Sequence, residues 1–164
     1  MEAFLHNTFV FRVLGYICFC ILTMGTEFEE LVVGSWEGIW MSPFSRDWEY
    51  SITLQLEISD GQVTGTNLWK LVKYPEGGKD YGSGKTATEF LSGTYNAELR
   101  VVELEGTSKE DPDEIISLDA YKFTLSEDGS SLSGNSKSNG DWDVGFPNAP
   151  SPLFFFVTKH ETVG

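Results

Sequence analysis

The sequence predicts an all-β protein: an eight-stranded antiparallel up-and-down barrel preceded by an apolar leader. Three observations predict it. Two Asp-Gly hairpin signatures stand at Ile58-Ser59-Asp60-Gly61-Gln62-Val63-Thr64-Gly65 and at Leu125-Ser126-Glu127-Asp128-Gly129-Ser130-Ser131-Leu132-Ser133-Gly134. Between Trp48 and Ile58 every even position is apolar and every odd position polar, the pattern of a strand with one face on a core and the other in water. Turn signals then recur at strand-length intervals to the end of the chain. Asp-Gly supplies the positive φ that a tight turn between twisted antiparallel strands requires.

Taken in order, Gly34-Ser35-Trp36-Glu37-Gly38-Ile39-Trp40-Met41 reads as a first strand closed by Ser42-Pro43, and the alternating Trp48 to Ile58 run as the second. Val63 to Val72, Glu89 to Tyr95, Leu99 to Thr107, Ile115 to Leu125, Ser131 to Lys137 and Leu153 to Lys159 complete the set. Ser59-Asp60-Gly61, Asn96-Ala97-Glu98 and Glu127-Asp128-Gly129 are hairpin-length connections, whereas Lys73 to Thr86, Ser108 to Glu114 and Ser138 to Pro152 are longer. Glu27 to Val33 suits a short turn of helix over one end. Such strands bury their apolar face by closing into a barrel or pairing as two sheets, and short sequential hairpins favour the barrel. Gly65 and Gly134, in the two return strands, are expected where strands bend as the barrel closes.

Residues 1–25 differ from the rest. Val13 to Met24 is uncharged and apolar behind a weakly basic start. It is shorter than the roughly 20 residues a membrane-spanning helix needs and fits the apolar core of a secretory signal peptide, with Thr23 and Gly25 small enough for cleavage before Thr26. An uncleaved anchor over Ala3 to Met24 is the alternative. The domain is then 26–164, a length that suits one core, and the expected location is secreted or extracytoplasmic, or membrane-anchored through that segment. Both cysteines, Cys18 and Cys20, lie in the leader, so the domain offers no disulfide, thiolate nucleophile or cysteine zinc site.

With 25 acidic and 11 basic residues the net charge is −14. No basic patch is visible, so neither nucleic acid nor an anionic membrane surface is an expected partner. A solubilising surface is the plain reading of the acidity.

Gly34-Ser35-Trp36 at the start of the first strand resembles the Gly-x-Trp signature of calycins, the ligand-binding barrels that include lipocalins, fatty-acid-binding proteins and avidins. The Thr64-Gly65-Thr66 and Leu91-Ser92-Gly93-Thr94-Tyr95 strands are similar to the glycine-marked strands of avidin-like and small lipocalin-like domains. The resemblance implies an up-and-down barrel that holds a small molecule. Lipocalins usually pack an arginine of the last strand across the tryptophan, where this chain offers Lys159. The biotin pocket of avidins has no residue-by-residue counterpart, so no ligand is carried over.

Inward-facing aromatic and polar side chains are the expected ligand contacts. Trp36 is the most structural of the tryptophans and Trp69 the most pocket-like. Asn67 shares a strand face with Val63 and Trp69, Arg100 and Glu103 fall in the fifth strand, and Asp119 shares parity with Tyr121, Phe123 and Leu125. A buried charge needs a partner or a purpose, and an Arg100–Asp119 ion pair is one arrangement. Trp69, Asn67, Tyr95, Tyr121 and Arg100 are therefore the expected binding residues for a small apolar or aromatic molecule. It would enter between the Lys73 to Thr86 and Ser138 to Pro152 loops.

Enzyme signatures are mostly absent. The domain's one histidine, His160, is near the terminus, which leaves no marked Ser-His-Asp set. Gly82-Ser83-Gly84-Lys85-Thr86 mimics the end of a phosphate-binding loop, but Lys79 stands where the first glycine is needed. No cofactor motif is present. An isomerase or cyclase on the same scaffold, with Asp119, Glu103 or Tyr121 as acid or base, is the alternative to a binder, and a packed interaction module without ligand is a third reading. Asp111-Pro112-Asp113-Glu114 and Asp141-Trp142-Asp143 lack the spacing of a calcium loop. Asp141 and Asp143 are the better metal candidates, and solvated turns the simpler account.

Overall fold

The computed structural model describes residues 27–41, 47–76, 82–138 and 155–159. It is a closed barrel of eight antiparallel strands in chain order: β1 Gly34–Met41, β2 Glu49–Ser59, β3 Gln62–Lys73, β4 Thr86–Asn96, β5 Val101–Glu110, β6 Asp119–Leu125, β7 Ser131–Ser138 and β8 Phe155–Lys159. β1 closes the ring on β8, from Trp36↔Lys159 to Ile39↔Phe156. The alternation of β2 is realised as expected: Tyr50, Ile52, Leu54 and Leu56 are buried.

The connections sort the barrel into two ends. Hairpins β2–β3, β4–β5 and β6–β7 turn at one end, where a helix over 27–32, α1, lies across the opening. The longer connections, β1–β2, β3–β4, β5–β6 and β7–β8, all leave from the other. Phe28 and Val32 of α1 are buried in the hydrophobic core, whose inward-facing residues next to the hairpins include Leu56, Val63, Val102, Leu125 and Leu132.

Trp36 anchors that closed end. Its side chain is fully buried, and its indole N–H donates to the Val32 carbonyl at 2.9 Å. Lys159 reaches across from β8 with its Nζ 5.6 Å from the Trp36 ring centroid. The same ammonium donates to the carbonyls of Leu31 at 2.9 Å and Glu30 at 3.2 Å, two of the unpaired carbonyls at the helix C-terminus. Lys159 thus ties β8 to both α1 and the Trp36 ring.

The two Asp-Gly signatures fold differently. Asp60 (φ 53°) and Gly61 (φ 76°) both take positive φ, giving a two-residue turn that matches the strand twist. At the second site only Gly129 does (φ 70°). There Asp128 caps a longer loop, its Oδ1 accepting from Ser126 Oγ, Ser130 N and Ser130 Oγ, which lowers its pKa to about 2. Neighbouring backbones crowd Gly65 and Gly134: a Cβ would stand 2.1 Å from the Gln55 carbonyl oxygen at Gly65 and 1.9 Å from that of Lys122 at Gly134, as it would from that of Glu103 at Gly93 (1.9 Å).

β2 and β3 start within one residue of the sequence reading, whereas β4, β5 and β6 start two to four residues away from it. β4 begins at Thr86, because Leu71 N–H donates to Lys85 O at 2.9 Å and Gly84 N–H to Leu71 O at 2.7 Å, which pulls the Gly82–Lys85 turn onto the end of β3. β5 begins at Val101, because Arg100 takes φ 54° in the preceding turn. β6 begins at Asp119 because the Asp111 carboxylate accepts from the N–H groups of Ile115 (2.9 Å) and Ile116 (3.0 Å), holding the segment as a loop. Residues 1–26, where the leader and its cleavage point are expected, lie outside the described residues, as do Asp141, Asp143 and His160.

Candidate functional site

The inner wall changes character toward the long-loop end. Trp40 on β1, Tyr50 on β2 and Trp69 on β3 meet edge to face, with centroids 5.3 Å (Trp40–Tyr50), 5.5 Å (Tyr50–Trp69) and 6.1 Å (Trp40–Trp69) apart. Interplanar angles of 74°, 89° and 75° make this a corner of three nearly perpendicular rings. Trp48 stacks on Tyr50 at 6.3 Å. The Tyr50 hydroxyl donates to the Ile115 carbonyl at 2.7 Å, which ties the aromatic corner to the loop that Asp111 organises.

Beside the corner lies a buried polar cluster centred on Glu89, whose residue is fully buried. Glu89 pairs with Asn67 across the β3–β4 ladder, so both point inward at the same level. Its Oε2 accepts from Trp69 Nε1 at 3.3 Å and from the Tyr121 hydroxyl, and its Oε1 accepts from the Asp119 backbone N–H at 2.8 Å. The Asn67 amide is in hydrogen-bonding reach of Tyr121. Gly106 on β5 makes the room: a Cβ there would stand 2.1 Å from Glu89 Oε1.

Electrostatics follow from that enclosure. Burial disfavours the carboxylate, and nearby Asp119 adds repulsion, so Glu89 is pushed up to about 7 despite the donors from Tyr121, Asp119 and Trp69. Burial, then the charges of Glu89 and Asp119, hold the Tyr121 phenol well above its usual range. Glu89 is thus a group that exchanges a proton near neutrality, hydrogen-bonded to a phenol that stays protonated. Three polar side-chain atoms at this level lack a hydrogen-bond partner among the described residues: Asn67 Oδ1, Ser136 Oγ and Trp40 Nε1. Ser136 is the β7 register neighbour of Tyr121.

Of the residues singled out in the sequence, Trp69, Asn67, Tyr121 and Asp119 converge here. Tyr95 is at the opposite end, stacked on Phe28 at 5.4 Å with its hydroxyl bonded to the Glu29 carboxylate. Arg100 is also there, its guanidinium donating to the carbonyls of Leu125, Ser126 and Glu127. It therefore serves the β6–β7 turn, and the Arg100–Asp119 pair does not form. Glu103 faces outward and pairs with Lys122 at 2.7 Å, beside an open groove of about 720 Å³ on the outer face of β4–β7. Asp113 is bound to Lys85 at 2.6 Å, joining the β3–β4 and β5–β6 loops. Among the described residues no group of three potential metal ligands is present.

Glu89 is the residue that the sequence reading missed. A strand beginning at Glu89 puts the carboxylate at an end, where exposure is the default. The observed start at Thr86 puts it inside, in register with Ala87 and Leu91, both buried. The signal was the Ala87, Glu89, Leu91 alternation, an acid in an apolar row. Searches against protein-family models and curated proteins find no match for this chain. The class of protein is therefore defined by architecture: an eight-stranded antiparallel barrel, compatible with a calycin-like fold, with a buried acidic and aromatic cluster at its long-loop end.

Proposed function

We propose that this chain is an exported, calycin-type binding protein that holds a small apolar or aromatic molecule in the long-loop end of its barrel. The observation carrying this reading is the set of buried polar atoms without a partner among the described residues, Asn67 Oδ1, Ser136 Oγ and Trp40 Nε1, beside an aromatic corner. Native proteins pair nearly all such atoms, so a polar group of a ligand at this level would relieve a cost of about 1–3 kcal/mol for each atom it satisfied. The Trp40, Tyr50 and Trp69 rings would take up the apolar part of the molecule. The Gly-x-Trp start of β1 supports the calycin reading, from which Lys159 over Trp36, in place of an arginine, is a departure.

Native mass spectrometry of the purified chain, with tryptophan fluorescence titrations against a mixed panel of apolar and aromatic molecules, tests the reading. A stoichiometric adduct and a saturable fluorescence change are expected. Their absence across the panel overturns it.

A second reading is an acid–base enzyme on the same barrel, favoured by Glu89 near neutrality and its bond to Tyr121. Its acid or base would be Glu89, with Asp119 and Tyr121 beside it, while Glu103 is engaged with Lys122 on the outside. Turnover that disappears in Glu89→Gln while ligand still binds would establish it over the first.

A further inference from the structure

Resting on the binding reading above, we propose that the ligand is an uncharged aromatic carboxamide whose amide group is seated among Asn67, Ser136 and Trp40. The three buried side-chain atoms without a partner among the described residues differ in what they lack. Asn67 Oδ1 is an acceptor that needs a donor, Trp40 Nε1 is a donor that needs an acceptor, and Ser136 Oγ serves as either. An ammonium has donors only and would leave the indole N–H unmet, whereas a carboxylate has acceptors only and would leave the Asn67 oxygen unmet. A carboxamide carries both: an N–H for Asn67 Oδ1, and a carbonyl oxygen whose two lone pairs can take the Trp40 N–H and the Ser136 hydroxyl. It brings no net charge into the buried site.

The orientation of the Asn67 amide is set from behind. Asn67 is 2% exposed and hydrogen-bonded to Tyr121, and because its Oδ1 has no partner, Nδ2 is the atom that donates to the Tyr121 hydroxyl. That hydroxyl commits its own proton to Glu89 Oε2. A flipped Asn67 would set its oxygen against a phenol oxygen with no proton to offer, so the acceptor edge stays on the side away from Tyr121. Tyr121 is thus a positioning residue that acts through Asn67. The three unpartnered atoms stand on β3, β7 and β1. A single hydroxyl oxygen would have to reach all three strands at once, whereas an amide puts its donor and its acceptor on different atoms. Trp69, two residues along β3 from Asn67, meets Trp40 and Tyr50 in the aromatic corner. An aromatic ring one carbon from the amide would pack against those rings.

The test is calorimetric titration of the full chain with matched probes on one benzyl skeleton: 2-phenylacetamide, 1-phenylpropan-2-one, 2-phenylethanol, 2-phenylethylammonium and phenylacetate. The ketone differs from the amide only in carrying a methyl group for the nitrogen. The amide should bind at least about tenfold more tightly than the ketone, which leaves the Asn67 oxygen buried and unmet, and more tightly than the alcohol and both ions. Asn67→Leu should bring amide and ketone within about threefold of each other, and Tyr121→Phe should shrink their ratio by releasing the Asn67 amide. Using both variants keeps the test intact if one fails to fold, as judged by near-UV circular dichroism. Equal or tighter binding of any other probe overturns the amide assignment and leaves the binding reading standing. An amide-to-ketone ratio unchanged in the two variants overturns the role given to Asn67. No binding of any probe, nor of the larger indole analogues of each, overturns both.

Discussion

Gly106 and Glu89 occupy one space on adjacent strands: a Cβ on Gly106 would stand 2.1 Å from Glu89 Oε1 and 3.2 Å from the Asp119 backbone nitrogen. The register shift between Phe90 and Leu91 in the β4–β5 pairing lies next to them, where an irregular ladder re-aims side chains. The buried carboxyl is therefore held by an absence of side chain on β5 as much as by its three donors. Gly106→Ala should destabilise the protein by about 2 kcal/mol or more, through overpacking and loss of the Glu89 bonds. In a Glu89→Ala background the same change should cost less than about 1 kcal/mol. Urea denaturation of the four proteins of this cycle measures the coupling, and additive costs would mean that Glu89 relocates freely.

Glu89 also sets a pH dependence of stability. Its folded pKa of about 7 lies above the ordinary 4.5, so between those values the folded state holds more protons than the unfolded one. Stability should then fall as pH rises through that window and level off above it, by up to about 3 kcal/mol. The groups facing Glu89 are Asp119 and Tyr121 from β6 and Trp69 from β3; Lys109, its β5 register neighbour, is exposed and bonded to Asp111 and Ile116 O. Below pH 4 the opposite slope comes from Asp111, lowered by the Ile115 and Ile116 amides and Lys109, and from Asp128 in its serine-lined turn. Denaturation midpoints from pH 4.5 to 8 should decline for the parent chain and stay flat for Glu89→Gln.

The two Asp-Gly turns should respond unequally to the same substitution. Gly61 has nothing within 4 Å of a would-be Cβ, so Gly61→Ala should cost only the strain of a positive φ, about 1 kcal/mol. At Gly129 that Cβ would also stand 2.6 Å from Leu31 Cδ2 of α1. Gly129→Ala should therefore cost more, and Leu31→Ala in the same chain should recover part of the difference. Thermal midpoints in the opposite order would show that α1 does not rest on this turn.

Lys159→Met should lower stability by about 1–3 kcal/mol, because it removes both donors to the α1 carbonyls and the charge over Trp36. Lys159→Arg should retain most of it. Hydrogen exchange over 27–33 distinguishes the cause: faster exchange in the methionine variant alone means that the helix has lost its cap.

Legibility differed between the barrel and its interior. Strand number, order and the two kinds of connection were readable because alternation and turn chemistry are local, as in Tyr50 to Ile58 and Asp60-Gly61. The same parity argument placed Trp69, Asn67, Asp119 and Tyr121 on inner faces. It misplaced Arg100, because one residue of turn rather than strand reverses what a long side chain can reach. It also passed over Glu89, whose face depended on three further residues of strand that only the contact between Leu71 and the Gly84–Lys85 turn creates.

By itself, then, the sequence determined an antiparallel meander, an acidic surface and a tryptophan at the mouth of the first strand, since each depends on residues near one another in the chain. Only the tertiary structure decided that Lys159 would cover Trp36, that Asn67, Glu89, Asp119 and Tyr121 would share one patch, and that Gly106 would leave room for it. Those contacts join residues far apart in the sequence, and their partners are chosen by register and barrel closure, which no local pattern encodes.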